Sequence, residues 1–128
     1  MILDSSAIVA IMLRVPGFEP IFSKLSLAET TGAGTPTLAE TGLVLASKLS
    51  RDPTALLRSF LQEFGVVAIP FGEAHWREAV SAYVQYGRRR HPAGLNFGDC
   101  MTYATAKLAQ RPLLCLGNDF AKTDLALA

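Results

Sequence analysis

Apolar residues in this chain follow two rhythms. Short unbroken runs, Met1-Ile2-Leu3, Val66-Val67-Ala68-Ile69 and Leu113-Leu114-Cys115-Leu116, read as strands buried on both faces. Between them, apolar residues recur at helical spacing. Asp4-Ser5-Ser6 caps a short helix running to Met12, and Pro16-Gly17 breaks the chain. Glu19 to Leu27 resumes with Ile21, Phe22 and Leu25 on one face. Thr30 to Thr35 carries two glycines and leads into a brief second strand. Helices are predicted over Pro36 to Ser50, Asp52-Pro53 to Phe64, Gly72 to Arg88, and Asn96 to Ala109. A loop spans Arg89 to Leu95, and Leu125 to Leu127 is expected to form a last edge strand. Helices alternating with continuously apolar strands make this an α/β chain with a parallel sheet covered on both faces.

Ligands of such sheets bind beyond the carboxyl ends of the strands, where strand order reverses. Asp4 and Asp119 each follow a predicted strand. Glu40 and Asp99 are expected in first helical turns, which face the same edge. Four of the chain's eleven acids can therefore converge on one rim. A carboxylate cluster of that kind repels itself unless a cation sits in it. With no histidine alongside, it suits a hard ion, Mg²⁺ or Mn²⁺, rather than zinc. Such ions hold charge on a phosphodiester's leaving oxygen and activate a water, so nucleic acid is the expected substrate. Ser6 and Asn96 are placed to orient ligands or waters behind the acids.

Simpler roles compete for each residue. Glu40 lies three residues after Thr37, and Asp99 three after Asn96, the spacing of capping boxes. Asp119 beside Gly117 and Asn118 suits a turn. An acid ending the first buried strand, as Asp4 does, has little reason to be there without a function. Arg88-Arg89-Arg90-His91 reads either as a solvated helix end or as contacts to an RNA backbone. His75 and Trp76 are expected to pack or hydrogen-bond on their helix.

Composition adds three expectations. A length of 128 residues suits one domain. Half of the residues are hydrophobic and only 18% are charged, below the roughly 25% of an average soluble domain. Apolar surface should therefore remain exposed for an oligomer or a protein partner. Cys100 and Cys115, falling in a helix and a strand, suit a reduced cytoplasmic protein. No apolar run approaches the ~18 residues of a membrane span.

Four segments together resemble a known family. They are Met-Ile-Leu-Asp-Ser-Ser-Ala around Asp4, Thr-Leu-Ala-Glu ending at Glu40, Leu-Asn-Phe-Gly-Asp-Cys around Asp99, and Leu-Gly-Asn-Asp-Phe around Asp119. In this order and spacing they resemble the PIN domain, and over the full length the VapC toxins of bacterial VapBC toxin–antitoxin modules. The resemblance implies a three-layer α/β/α sandwich occupying residues 1–128 and a Mg²⁺-dependent endoribonuclease. It implies that Asp4, Asp99 and Asp119 bind metal, while Glu40 binds it directly or through water and helps activate the attacking water. In the family, the products are a 5′-phosphate and a 3′-hydroxyl. Ser6 and Asn96 match supporting positions, and Asp124 competes with Asp119 as the fourth acid. A homodimer and a VapB-type antitoxin are implied partners, the stretch Ile8 to Leu27 being a seat for the antitoxin's C-terminal segment. Two other readings stand beside this one: an aspartate-based phosphotransfer domain, and an interaction module that keeps the fold without cutting RNA.

Overall fold

Leu3 and Ile2 are adjacent and both fully buried, yet they belong to different cores. That is what a strand with both faces covered requires, because successive side chains point to opposite sides. Leu113 and Leu114 divide in the same way. The computed structural model describes residues 1–128. In chain order its elements are β1 (Ile2–Leu3), α1 (Ser5–Leu13), α2 (Phe18–Leu27), β2 (Thr31–Gly34), α3 (Thr35–Leu49), α4 (Thr54–Glu63), β3 (Val66–Ile69), α5 (Glu73–Tyr86), α6 (Phe97–Ala109) and β4 (Leu113–Leu114). The four strands are all parallel and lie in the order β3-β2-β1-β4.

One face of the sheet packs Leu3, Ile8, Ile11, Leu25, Leu45 and Phe60, from β1 and from α1 to α4. The other packs Ile2, Ala82, Tyr86, Tyr103 and Ala104 from β1, α5 and α6, with Phe120 from the C-terminal segment. Each aliphatic side chain buried this way contributes about 1.5–3 kcal/mol. The expected three-layer α/β/α sandwich is the observed fold.

The weakest of the expected strands shows how packing overrides propensity. The glycine-bearing segment does not lead into a strand: Thr31–Gly34 is the strand itself, fully buried, pairing with both β1 and β3. A Cβ on Gly34 would lie 2.6 Å from the Thr105 hydroxyl of α6, and one on Gly32 would lie 2.7 Å from the Ile69 side chain. The glycines let the helix and the neighbouring strand close onto β2, which a bulkier residue would prevent. β4 is shorter than expected, and the last edge strand is a single bridge between Leu127 and Leu113.

Strand order reverses at β1, which has its sequence neighbour β2 on one side and β4 on the other. The crevice beyond the ends of β1 and β4 is thus the place where such sheets bind ligands. α3 starts directly after β2, and α6 leads into β4, so both helices begin at this edge.

Candidate active site

Asp4 sits at the end of β1 as the N-cap of α1 and is only 6% exposed. Its Oδ2 accepts from the Ser6 hydroxyl at 2.6 Å and from the Ser6 amide at 3.2 Å. Its Oδ1 accepts from the Thr102 hydroxyl of α6 at 2.8 Å. Thr102 in turn lies 3.0 Å, hydroxyl to hydroxyl, from Thr37 of α3. The Ser6 hydroxyl also accepts from the Leu116 amide at 3.0 Å, which fastens the end of β4 to the same carboxylate. One acid thereby ties β1, α1, α6 and the β4 exit together. Those hydrogen bonds satisfy the polar atoms of a buried carboxylate, which would be costly to leave unpartnered.

Asp99 and Asn96 form the expected capping box at the start of α6. The Asn96 amide donates to Asp99 Oδ2 at 3.1 Å, and the Asp99 amide to Asn96 Oδ1 at 2.8 Å. The Asp99 carboxyl is nevertheless pushed up to about 6. Burial is the largest cause; the Asn96 hydrogen bond opposes it, and the charges of Asp119, Asp4 and Glu40 add to it. The other three acids therefore all reach Asp99 electrostatically. The ion pairs of the molecule are Arg77–Glu73 and Lys107–Asp124, so none of the four acids is paired with a cation.

Glu40 is not where the capping-box spacing put it. α3 begins at Thr35 with Pro36 in its first turn and Gly34 as its N-cap, so Thr37 is not the cap and Glu40 belongs to the second turn. There Glu40 Oε1 accepts from the Ser5 hydroxyl at 2.7 Å. A Cβ on Gly98 would lie 2.8 Å from the Glu40 Cδ and overlap its Oε2. The missing side chain of Gly98 is what admits Glu40 to the first turn of α6, beside Asp99.

Asp119 lies exposed in the turn after β4, close enough to act on Asp99. Asp124 stands elsewhere. It accepts from Tyr103 at 2.6 Å and from Lys107 at 2.5 Å, and these donors hold its carboxyl below the usual range. That commitment makes Asp124 a structural residue. Of the competing pair, Asp119 is the one whose charge acts on Asp99.

Sequence reasoning overlooked three contributors: Ser5, Thr102 and Gly98. Ser5 carried a signal in its adjacency to Asp4; Thr102 and Gly98 gave none until the helices were placed. Arg88, Arg89 and Arg90 are exposed and lie past the end of α5. Their loop is pinned to the start of α6, with the Arg88 amide donating to Leu95 O at 3.0 Å and the Leu95 amide to Tyr86 O at 2.9 Å. His75 caps α5, its Nδ1 accepting from the Gly72 amide at 3.1 Å.

The donor set at the rim is all oxygen, which suits a hard divalent ion. As placed, no three of the acidic side chains converge to hold an ion at a common point. Mg²⁺ keeps several of its waters and takes few direct carboxylates, so ligation partly through water fits acids spaced in this way.

The PIN domain family matches residues 1–125. Ribonuclease VapC36 of Mycobacterium tuberculosis is 40% identical over 129 residues, spanning 98% of this chain and 91% of that protein. Ribonuclease VapC28 of the same organism is 39% identical over 131 residues, spanning 100% and 97%. Among solved structures, Mycobacterium tuberculosis VapC20, described as a sarcin-ricin loop cleaving toxin, superposes with a TM-score of 0.81 at 12% identity, over 99% of this chain and 97% of that one. A chain from a Klebsiella pneumoniae toxin–antitoxin complex does so with a TM-score of 0.72 at 17% identity, over 99% and 95%. Those two likenesses bear on the fold; the family rests on the near full-length match and on the relatives near 40% identity. The chain belongs to the PIN domain family, in its VapC group.

Proposed function

We propose that this protein is a metal-dependent endoribonuclease and the toxin of a two-component toxin–antitoxin pair. The observation that carries the reading is that Asp4, Glu40 and Asp119 lie near enough for their charges to act on the half-buried Asp99, with no cation paired to any of the four. Relatives named ribonucleases over almost the whole chain support it.

In this reading Asp4, Asp99 and Asp119 hold Mg²⁺, for which Mn²⁺ substitutes, and Glu40 joins them directly or through water. The ion, when bound, supplies a counter-charge for the phosphate and makes an attacking water more acidic. Glu40 has one oxygen held by Ser5 and the other beside Gly98, so it is oriented to take the proton of that water. Ser6 and Thr102 hold the Asp4 carboxylate in place, and Asn96 fixes the position of Asp99. Arg88, Arg89 and Arg90, beside the start of α6, offer their charges to the RNA backbone.

A groove of about 560 Å³ between α1, α2 and α4, lined by Met12, Phe18, Phe22, Phe60 and Phe64, supports the expected antitoxin seat. It includes the α1–α2 stretch and adds α4 to it. Exposed apolar residues such as Leu43 support a homodimer, to be checked by light scattering. The free thiols of Cys100 and Cys115 suit action in the cytoplasm.

The test is cleavage of total RNA by purified, antitoxin-free protein in Mg²⁺, Mn²⁺ or EDTA, beside Asp99→Asn. The reading expects discrete fragments that need metal and vanish in the variant. Fragments that persist in EDTA or in Asp99→Asn would overturn it.

A further inference from the structure

Asp119 is exposed and pairs with no cation, so its place at the rim depends on the backbone that carries it. That backbone is held on both sides. Upstream, the Leu116 amide donates to the Ser6 hydroxyl, which itself donates to Asp4. Gly117 then takes a left-handed conformation, with φ +97°, and the chain turns. Downstream, Phe120 is only 1% exposed and packs into the same core as Tyr103 of α6. The Phe120 carbonyl accepts from the Thr123 amide at 3.1 Å and from the Thr123 hydroxyl at 2.7 Å, which closes a further turn. That turn delivers Asp124 to α6.

There the Asp124 carboxylate bridges two donors, the Tyr103 hydroxyl at 2.6 Å and the Lys107 ammonium at 2.5 Å. Both belong to the helix that carries Asp99. Asp99, Tyr103 and Lys107 follow one another at intervals of four, so they run along one side of α6. Tyr103 lies about 6 Å and Lys107 about 12 Å along the axis from Asp99. The two donors are unequal. The Lys107 and Asp124 side chains are each 43% exposed, and such a surface pair holds little on its own. Tyr103 is buried, its ring centre 5.8 Å from that of Tyr86, so its hydroxyl is a fixed point. A hydrogen bond from a fixed donor to a charged acceptor is the stronger hold. Beyond Asp124 the chain has its own attachment, with the Leu113 amide donating to Ala126 O at 2.9 Å and the Ala128 amide to Leu113 O at 2.8 Å. The distinct effect of the Asp124 contacts therefore falls on the segment before them.

We infer that Tyr103, Asp124 and Lys107 form a clamp that fixes the Asp119 turn against α6 and so sets the separation of Asp119 from Asp99 in the metal site. The three are positioning residues: they act through Asp119 and touch neither ion nor RNA. This rests on the proposed cation site and adds how the exposed acid of the four is held in register with the others.

The test is calorimetric titration of Mn²⁺ into metal-free protein at pH 7.5. Asp124→Ala and Tyr103→Phe are each made in the parent and in an Asp119→Asn background, with folding checked by circular dichroism. Tyr103→Phe keeps the packed ring and carries the test alone if Asp124→Ala does not fold. The inference expects Asp124→Ala to weaken Mn²⁺ binding roughly tenfold, and Tyr103→Phe to weaken it in the same direction. In the Asp119→Asn background neither should cost more than about twofold further, because the residue they act through is already replaced. Full affinity in both clamp variants overturns the inference and leaves the cation site standing. So does an equal loss with and without the Asp119 carboxylate, which would reduce the clamp to a support of the fold. Absence of Mn²⁺ binding in the parent overturns the inference and the cation site together. The expected pattern in a protein that cuts no RNA sustains the clamp while the ribonuclease reading falls.

Discussion

Asp4 and Asp119 flank the same crevice and are held in opposite ways. Asp4 is buried, caps α1, and has both carboxylate oxygens fixed by hydroxyls from two helices. Asp119 rides an exposed turn. Charge at one is part of the framework; charge at the other is left for whatever binds. Asp99 lies between these extremes, fastened by its capping box yet pushed up to about 6 by burial and by its acidic neighbours. The rim thus combines an acid the fold needs with acids the fold merely tolerates. Removing each kind should give different results.

The largest effect is expected on activity from the tolerated acids. Asp99→Asn and Asp119→Asn should each lower RNA cleavage by at least about a hundredfold, read as initial rates on a fixed RNA, while circular dichroism stays unchanged. Metal-free Asp99→Asn should melt a few degrees above the parent, since an amide keeps the cap without the repulsion; after solvent screening, the gain is about 1 kcal/mol. Melting below the parent would mean that Asp99 supports the fold as Asp4 does.

Asp4→Ala should differ by failing in stability as well. It removes a cap and leaves the Ser6 and Thr102 hydroxyls without their acceptor, at a cost of about 2–4 kcal/mol in denaturant unfolding. Asp119→Ala should stay within about 0.5 kcal/mol of the parent. Equal losses for the two would erase the contrast.

Gly98→Ala probes how closely α3 and α6 meet. The new methyl must displace the Glu40 carboxylate, and a shift of that size at the reacting centre should lower kcat on the order of tenfold or more in a folded protein. An unchanged kcat would remove Glu40 from the water-activating role.

The smallest effect is in pH. Asp99 has a folded value near 6 against an ordinary 3.8, so between about pH 4 and 6 the native protein holds a proton that the unfolded chain has released. Its contribution to metal-free stability is fully present below that window and is lost as pH rises through it. An ion competes with the proton, so the melting shift produced by Mg²⁺ should be larger at pH 7.5 than at pH 5. A shift independent of pH would place the ion away from Asp99.

Much of this architecture was legible in the chain because continuous apolar runs and capping signals are local. The Asn96–Asp99 box emerges as read, and Val66 to Ile69 emerges as a strand, though at the sheet edge with Val67 and Ala68 exposed rather than buried on both faces. What escaped is set by contacts between distant segments. Gly32 and Gly34 argue against a strand until α6 and Ile69 are seen to press on them. Glu40 matched a capping pattern that Thr37 does not use, because Pro36 and the end of β2 set the cap at Gly34, three residues earlier. Thr102 is a core hydroxyl in sequence and a brace for Asp4 only once α6 crosses β1. The order of the strands, which brings Asp4 beside the exit of β4, was likewise not written in any one segment.

The account turns on the four acids forming one cation site, and calorimetric titration of Mn²⁺ into the metal-free protein at pH 7.5 tests that most directly. Saturable binding in the parent, weakened at least tenfold in both Asp99→Asn and Asp119→Asn, is the predicted result. Binding of equal strength in all three proteins, or none in the parent, would contradict it.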